Sequence, residues 1–181
     1  MNKIRTVVIL TLIFGFILSG CSATDKNKGT DENIAPYPVE LDESVRNEID
    51  ALFERVLSRG TTYQECIEKA PVSYEKLISY GAPTVHYCFE EFLYGNPSKL
   101  KEELMARISD KIFHVGNVRK GTLGMWSIKG VTSPGEDYTG REWFDCTYSN
   151  AKVFYDFYVY EDFQYYFPLS DLLLRMTGDI K

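Results

Sequence analysis

Residues 142–167 read EWFDCTYSNAKVFYDFYVYEDFQYYF, and how this stretch folds decides the class of the whole chain. Between Val153 and Phe167, 9 of 15 residues are aromatic. So dense a run suits a strand buried on both faces, or covered by helices, better than a half-exposed one. Leu123–Val131, Glu142–Tyr148 and Lys152–Tyr160 are the strand candidates, each rich in aromatic and β-branched residues. Gly116, Gly121, Gly124, Gly130, Gly135 and Gly140 punctuate the short runs as turns between strands would, and Ser133–Asp137 reads as an exposed loop. The chain then closes on a short helix, with Ser170 as N-cap, Leu172, Leu173, Leu174 and Met176 inside, and Gly178 as the stop.

Working back from there, the first half is helical. Val45, Ile49, Leu52, Phe53, Val56 and Leu57 share one helix face, and Gly60 ends it. Thr62-x-x-Glu65 is a capping box for a second, short helix that breaks before Pro71. Ser73–Tyr80 forms a third, with Gly81 as its left-handed C-terminal residue. Pro83 presets the next, which carries Val85, Cys88, Phe89, Phe92 and Leu93. Asn96-Pro97-Ser98 opens a further helix, with Leu100, Leu104, Ile108 and Ile112 inward. The expectation is an α+β fold over residues 42–181. Its helical part, 42–114, packs on a small, mainly antiparallel sheet in a strand-rich part, 115–181.

Residues 77–89, within the segment 73–113, resemble the turn of a HEAT-type helical hairpin, a Leu-x-x-x-Gly step followed by a helix opening on a small residue and Val. The resemblance implies a packed antiparallel helix pair with a protein-binding surface. No second copy occurs at a 40-residue period, so a solenoid is not supported.

At the other end, Lys3 and Arg5 precede an apolar run from Thr6 to Leu18, too short for a comfortable bilayer span. Leu18-Ser19-Gly20-Cys21 follows, and residues 1–21 together resemble a bacterial lipoprotein signal ending in its lipobox. The resemblance implies removal of residues 1–20, a thioether-linked lipid on Cys21, and attachment to the cell membrane on its extracytoplasmic side. More than one acyl chain is needed for stable anchoring, since each buried methylene contributes roughly 0.8 kcal/mol. Residues 21–41 are polar up to Pro36-Tyr37-Pro38 and read as a flexible tether with a stiff end.

The full chain carries a net charge of −6. Loss of residues 1–20 removes two cations and no anion, so the mature chain is more acidic still. Nucleic-acid phosphates and anionic headgroups repel such a surface, which excludes nucleic acid as an electrostatic partner. With Cys21 given to the lipid, Cys66, Cys88 and Cys146 are left, an odd number. Cys66 with Cys88 is the disulfide to consider first, and buried free thiols are an alternative with at least equal weight, since free cysteine often packs as a small hydrophobe.

Catalytic chemistry is thinly represented. Ser73…Lys76, Ser98…Lys101 and Ser149…Lys152 have the Ser-x-x-Lys spacing of penicillin-binding enzymes, without the companion motifs. A Cys146 nucleophile would need His86 or His114 to hold its thiolate. Metal-ligand spacings are absent, the pairs Glu90-Glu91, Glu102-Glu103 and Glu161-Asp162 read as solvated faces, and Gly121-x-x-Gly124 lacks the rest of a phosphate loop. No catalytic residue, cofactor or metal is assigned. The expected role is a lipid-anchored, non-enzymatic binding module of the cell envelope, whose partner is an envelope protein or a glycan. The competing roles are a hydrolase or transferase acting on the cell wall and an accessory subunit of an envelope sensor or transporter.

Overall fold

Asp42 starts the fold. In the computed structural model its carboxylate accepts hydrogen bonds from the Ser44 hydroxyl and from the backbone N–H groups of Val45 and Ser44, and these bonds, the hydroxyl's first, hold its pKa below the usual carboxylate value. The helix it caps, α1 (Glu43–Leu57), buries Ile49, Leu52, Phe53 and Val56. The structure describes residues 37–117, 130–133, 137–160 and 166–181, with the backbone alone for 114–117.

Six helices follow: α2 (Tyr63–Lys69), α3 (Pro71–Tyr80), α4 (Ala82–Tyr94), α5 (Lys99–Asn117), α6 (Gly140–Tyr160) and α7 (Pro168–Met176). The periodicity read in the first half is present in the burial: Val85, Cys88, Phe89 and Phe92 on α4 and Leu104, Ile108 and Ile112 on α5 lie in the core. Gly81 closes α3 at φ 66°, a backbone region that favours glycine. Two boundaries differ from expectation for one reason. Pro71 opens α3 and Pro168 opens α7, each at the first turn, where the missing N–H costs nothing. Ser73 and Ser170 therefore lie inside helices and are buried, not at caps.

The expected sheet is not there. Among the described residues the chain has no strand, and the α+β assignment is replaced by an all-helical fold. Glu142–Tyr148 and Lys152–Tyr160, two of the three strand candidates, are parts of the single helix α6. Leu123–Val131 lies largely outside the described residues, as do residues 134–136 of the expected loop. The physical reason is visible in α6. Trp143, Phe144, Thr147, Asn150, Ala151 and Phe154 are buried and recur at i, i+1, i+4, i+7, i+8 and i+11, a helical stripe. Asp145, Ser149, Lys152 and Asp156 face outward. Aromatic and β-branched residues cost a helix at most about 0.7 kcal/mol each, whereas burying such a side chain contributes about 2 kcal/mol. Burial wins.

The aromatics therefore build the core between helices. Phe92 of α4 stacks on Phe144 of α6 at 4.9 Å, Phe154 of α6 on Phe167 at 4.4 Å, and Phe53 of α1 on Tyr87 of α4 at 5.3 Å. The toughest approach is Gly140 at the start of α6. A Cβ there would lie 2.4 Å from the backbone C and O of Glu102, so only glycine lets α6 come this close to α5. One compact unit spans Pro36–Lys181. Its first residues belong to it: Tyr37 and Leu41 pack against the core, although the sequence reads them as tether. The lipobox and Cys21 lie outside the described residues.

Candidate functional site

The sequence-derived candidates come apart in the fold. Cys66 and Cys88 are free, buried thiols with no disulfide between them. Burial pushes the Cys88 pKa up to about 12 and raises that of Cys66. Cys146 donates to the Thr132 carbonyl at 3.2 Å and lies 3.7 Å from the Asn150 amide nitrogen. His86 is buried on α4, with Val39 O at 3.1 Å from Nε2, Glu90 at 3.6 Å and Arg46 bonded in turn to Glu90. Because a carbonyl can only accept, Nε2 carries the proton. The side chain of His114 lies outside the described residues.

Each Ser-x-x-Lys pair is also committed elsewhere. Lys76 pairs with Glu48 and Lys152 with Asp179, while the Ser149 hydroxyl donates to Asp145 O at 2.9 Å. Ser98 caps α5, accepting from Lys101 N. The Lys101 amine instead bonds the Tyr87 hydroxyl at 2.8 Å and Glu91 at 2.9 Å, and Tyr87 donates to Asp50. Two acidic pairs are therefore not solvated faces as read: Glu90 and Glu91 on α4, and Glu102 on α5, carry partly buried ion pairs. Glu161, Asp162, Gly121 and Gly124 lie outside the described residues, among which no three His, Cys, Asp or Glu side chains converge as a metal site.

What the fold does assemble is a groove of about 740 Å³ between the start of α2, the outer face of α5 and the residues leading into α6. Both helix starts at its rim are closed by their own side chains. Thr62 Oγ1 accepts from Glu65 N at 3.3 Å, and the Glu65 carboxylate bonds Thr61 N, one residue earlier than the expected reciprocal bond. At α6, Thr139 Oγ1 accepts from Glu142 N and the Glu142 carboxylate takes Thr139 N at 2.8 Å. These bonds lower the pKa of both glutamates. At each helix start the cap thus takes one N–H of the first turn, and the charged side chains are the groove's strongest recognition groups.

Arg141 is fastened to the wall by Glu102 at 3.1 Å and Phe92 O at 3.2 Å. Arg107 is held differently. Its guanidinium carbon lies 4.1 Å from the Tyr138 ring centroid and 5.0 Å from that of Tyr63, with Nε covered and without a hydrogen-bond partner. Such contacts contribute roughly 0.5–2 kcal/mol and fix the plane of the guanidinium. Burial raises the Tyr138 pKa, with Asp110 adding and Arg107 opposing, so the ring stays a neutral phenol. Glu103 stands one turn before Arg107 on α5, and the two form no ion pair. The groove's described lining contains no Cys, Ser or His, so it offers charge, hydroxyl and amide contacts and no nucleophile–imidazole pair. Comparison of the chain with protein-family models, curated proteins and solved structures found no match.

Proposed function

We propose that this chain is a lipid-anchored protein of the bacterial cell membrane, carried on the extracytoplasmic side by Cys21, and that its helical domain is a non-enzymatic binding module. The anchor reading rests on the short apolar run and the Leu18-Ser19-Gly20-Cys21 lipobox. The binding reading rests on one observation, the groove walled by α2, α5 and the start of α6, whose polar residues include opposite charges held apart. Its volume of about 740 Å³ lies within the roughly 300–1,000 Å³ typical of small-molecule sites. Among the described residues no helix is long and apolar enough to cross a membrane, so in this reading the lipid supplies the attachment. Cell fractionation of Cys21→Ala tests it. The variant should leave the membrane fraction, and full retention there would contradict the anchor.

A further inference from the structure

Glu103 and Arg107 occupy i and i+4 on α5, glutamate first, the spacing and order that favour an ion pair on a helix surface. They do not form one. Arg107 is instead held by stacking on Tyr138 and Tyr63, and Glu103 has no ion-pair partner among the described residues. The groove therefore presents an anion and a cation one helical turn apart, with about 5–6 Å between their Cβ atoms.

This arrangement discriminates. Along α5 Glu103 stands between Lys99 and Arg107, which both line the groove, so a simple anion approaching Arg107 meets the carboxylate of Glu103 and a simple cation approaching Glu103 meets two cations. A ligand carrying both charges satisfies both residues. The two charged ends do not pair with each other, and charge-assisted hydrogen bonds of about 2.8 Å, one from a ligand ammonium to Glu103 and one from Arg107 to a ligand carboxylate, suit a ligand that carries both groups close together. We propose that the groove binds the α-amino-acid head of a ligand, ammonium on Glu103 and carboxylate on Arg107. This rests on the groove being the binding surface of the module above. The cavity is larger than the head alone, and Thr62, Gln64 and Asp137 line the room left for the remainder. That remainder belongs to a free amino acid or to a peptide whose side chain ends in the same head.

The test uses the full-length lipidated protein in detergent micelles and follows the Arg107 Nε–Hε resonance by NMR. The probes are L-alanine, L-alaninamide and N-acetyl-L-alanine, and a dipeptide of alanine and 2,6-diaminoheptanedioic acid that carries the head on its side chain. Free alanine or the dipeptide should shift the resonance, with each blocked form about tenfold weaker. Whichever of the two binds more tightly identifies the source of the head. In Arg107→Gln, followed through backbone resonances of α5, the preference for acid over amide should vanish. In Glu103→Gln the preference for free amine over acetyl should vanish while acid is still preferred over amide. Equal binding of all three alanine forms, or no response to either head-bearing probe at millimolar concentration, overturns the proposal. The binding-module reading survives that outcome if a groove-specific partner is still captured in membranes.

Discussion

His86 Nε2, buried on α4, donates a hydrogen bond of 3.1 Å to the carbonyl oxygen of Val39, so the segment that leads into α1 is fastened to the middle of the fold. Burial lowers the His86 pKa below its ordinary 6.5, and the Arg46 charge adds to that, while Glu90 and the Val39 carbonyl pull the other way. The ring is neutral in the folded protein near neutral pH.

Stability should accordingly fall on acidification. Above 6.5 the ring is neutral in both folded and unfolded chains, and its contribution is complete. Below that value the unfolded chain takes up a proton that the folded one does not, and stability declines until the folded ring protonates too. Denaturant midpoints measured from about pH 8 to about pH 5 should drop more steeply for the wild type than for His86→Gln. Parallel curves would remove His86 from the account.

Gly140→Ala should destabilise the protein by about 1–3 kcal/mol, the usual cost of forcing extra volume into a packed contact. The added carbon meets backbone atoms of Glu102, which cannot swing aside as a side chain would. Thermal or urea unfolding reads the loss, and an unchanged midpoint would mean that α5 and α6 are not this close.

Tyr87→Phe should cost about 1–2 kcal/mol. The hydroxyl joins Asp50 of α1 to Lys101 of α5, and its removal leaves Lys101 with Glu91 and a longer contact of 3.5 Å to Asp50. The double variant Tyr87→Phe/Lys101→Met should lose less stability in urea unfolding than the sum of the two single changes, because the pair shares one network.

Cys66 and Cys88 should resist alkylation in the native protein and react once it is unfolded, without prior reduction. Both are fully buried, and the raised pKa of each leaves little thiolate at neutral pH. Peptide mapping after alkylation distinguishes this from a Cys66–Cys88 disulfide, which would need reduction first.

The helical first half was legible because its apolar residues repeat at 3.6-residue spacing with caps at the ends, as from Asp42 to Leu57. In the second half composition and period point to different structures, and the period is the one the fold follows. In residues 143–154 the aromatic content suggested strands, while the buried positions follow a helix, and Thr139-x-x-Glu142 is a capping box as plain as Thr62-x-x-Glu65. Gly140 sits among glycines spaced as turns between strands would be, yet its role is close approach to Glu102. The groove was not legible. Tyr63, Arg107 and Tyr138 are distant in sequence and meet only through the packing of α2, α5 and the start of α6. The one local trace of it is the i, i+4 pair Glu103 and Arg107, whose failure to bond no sequence shows.

The central claim, that this groove is the binding surface of a membrane-anchored module, is tested most directly by site-specific photocrosslinking in native membranes. A photoreactive residue replaces Gln64, which lines the groove, or Val72, which is 81% exposed and does not. The account predicts an adduct at position 64, none at 72, and loss of the first when Arg107→Gln is added. Equal capture at both positions, or none at 64, would contradict it.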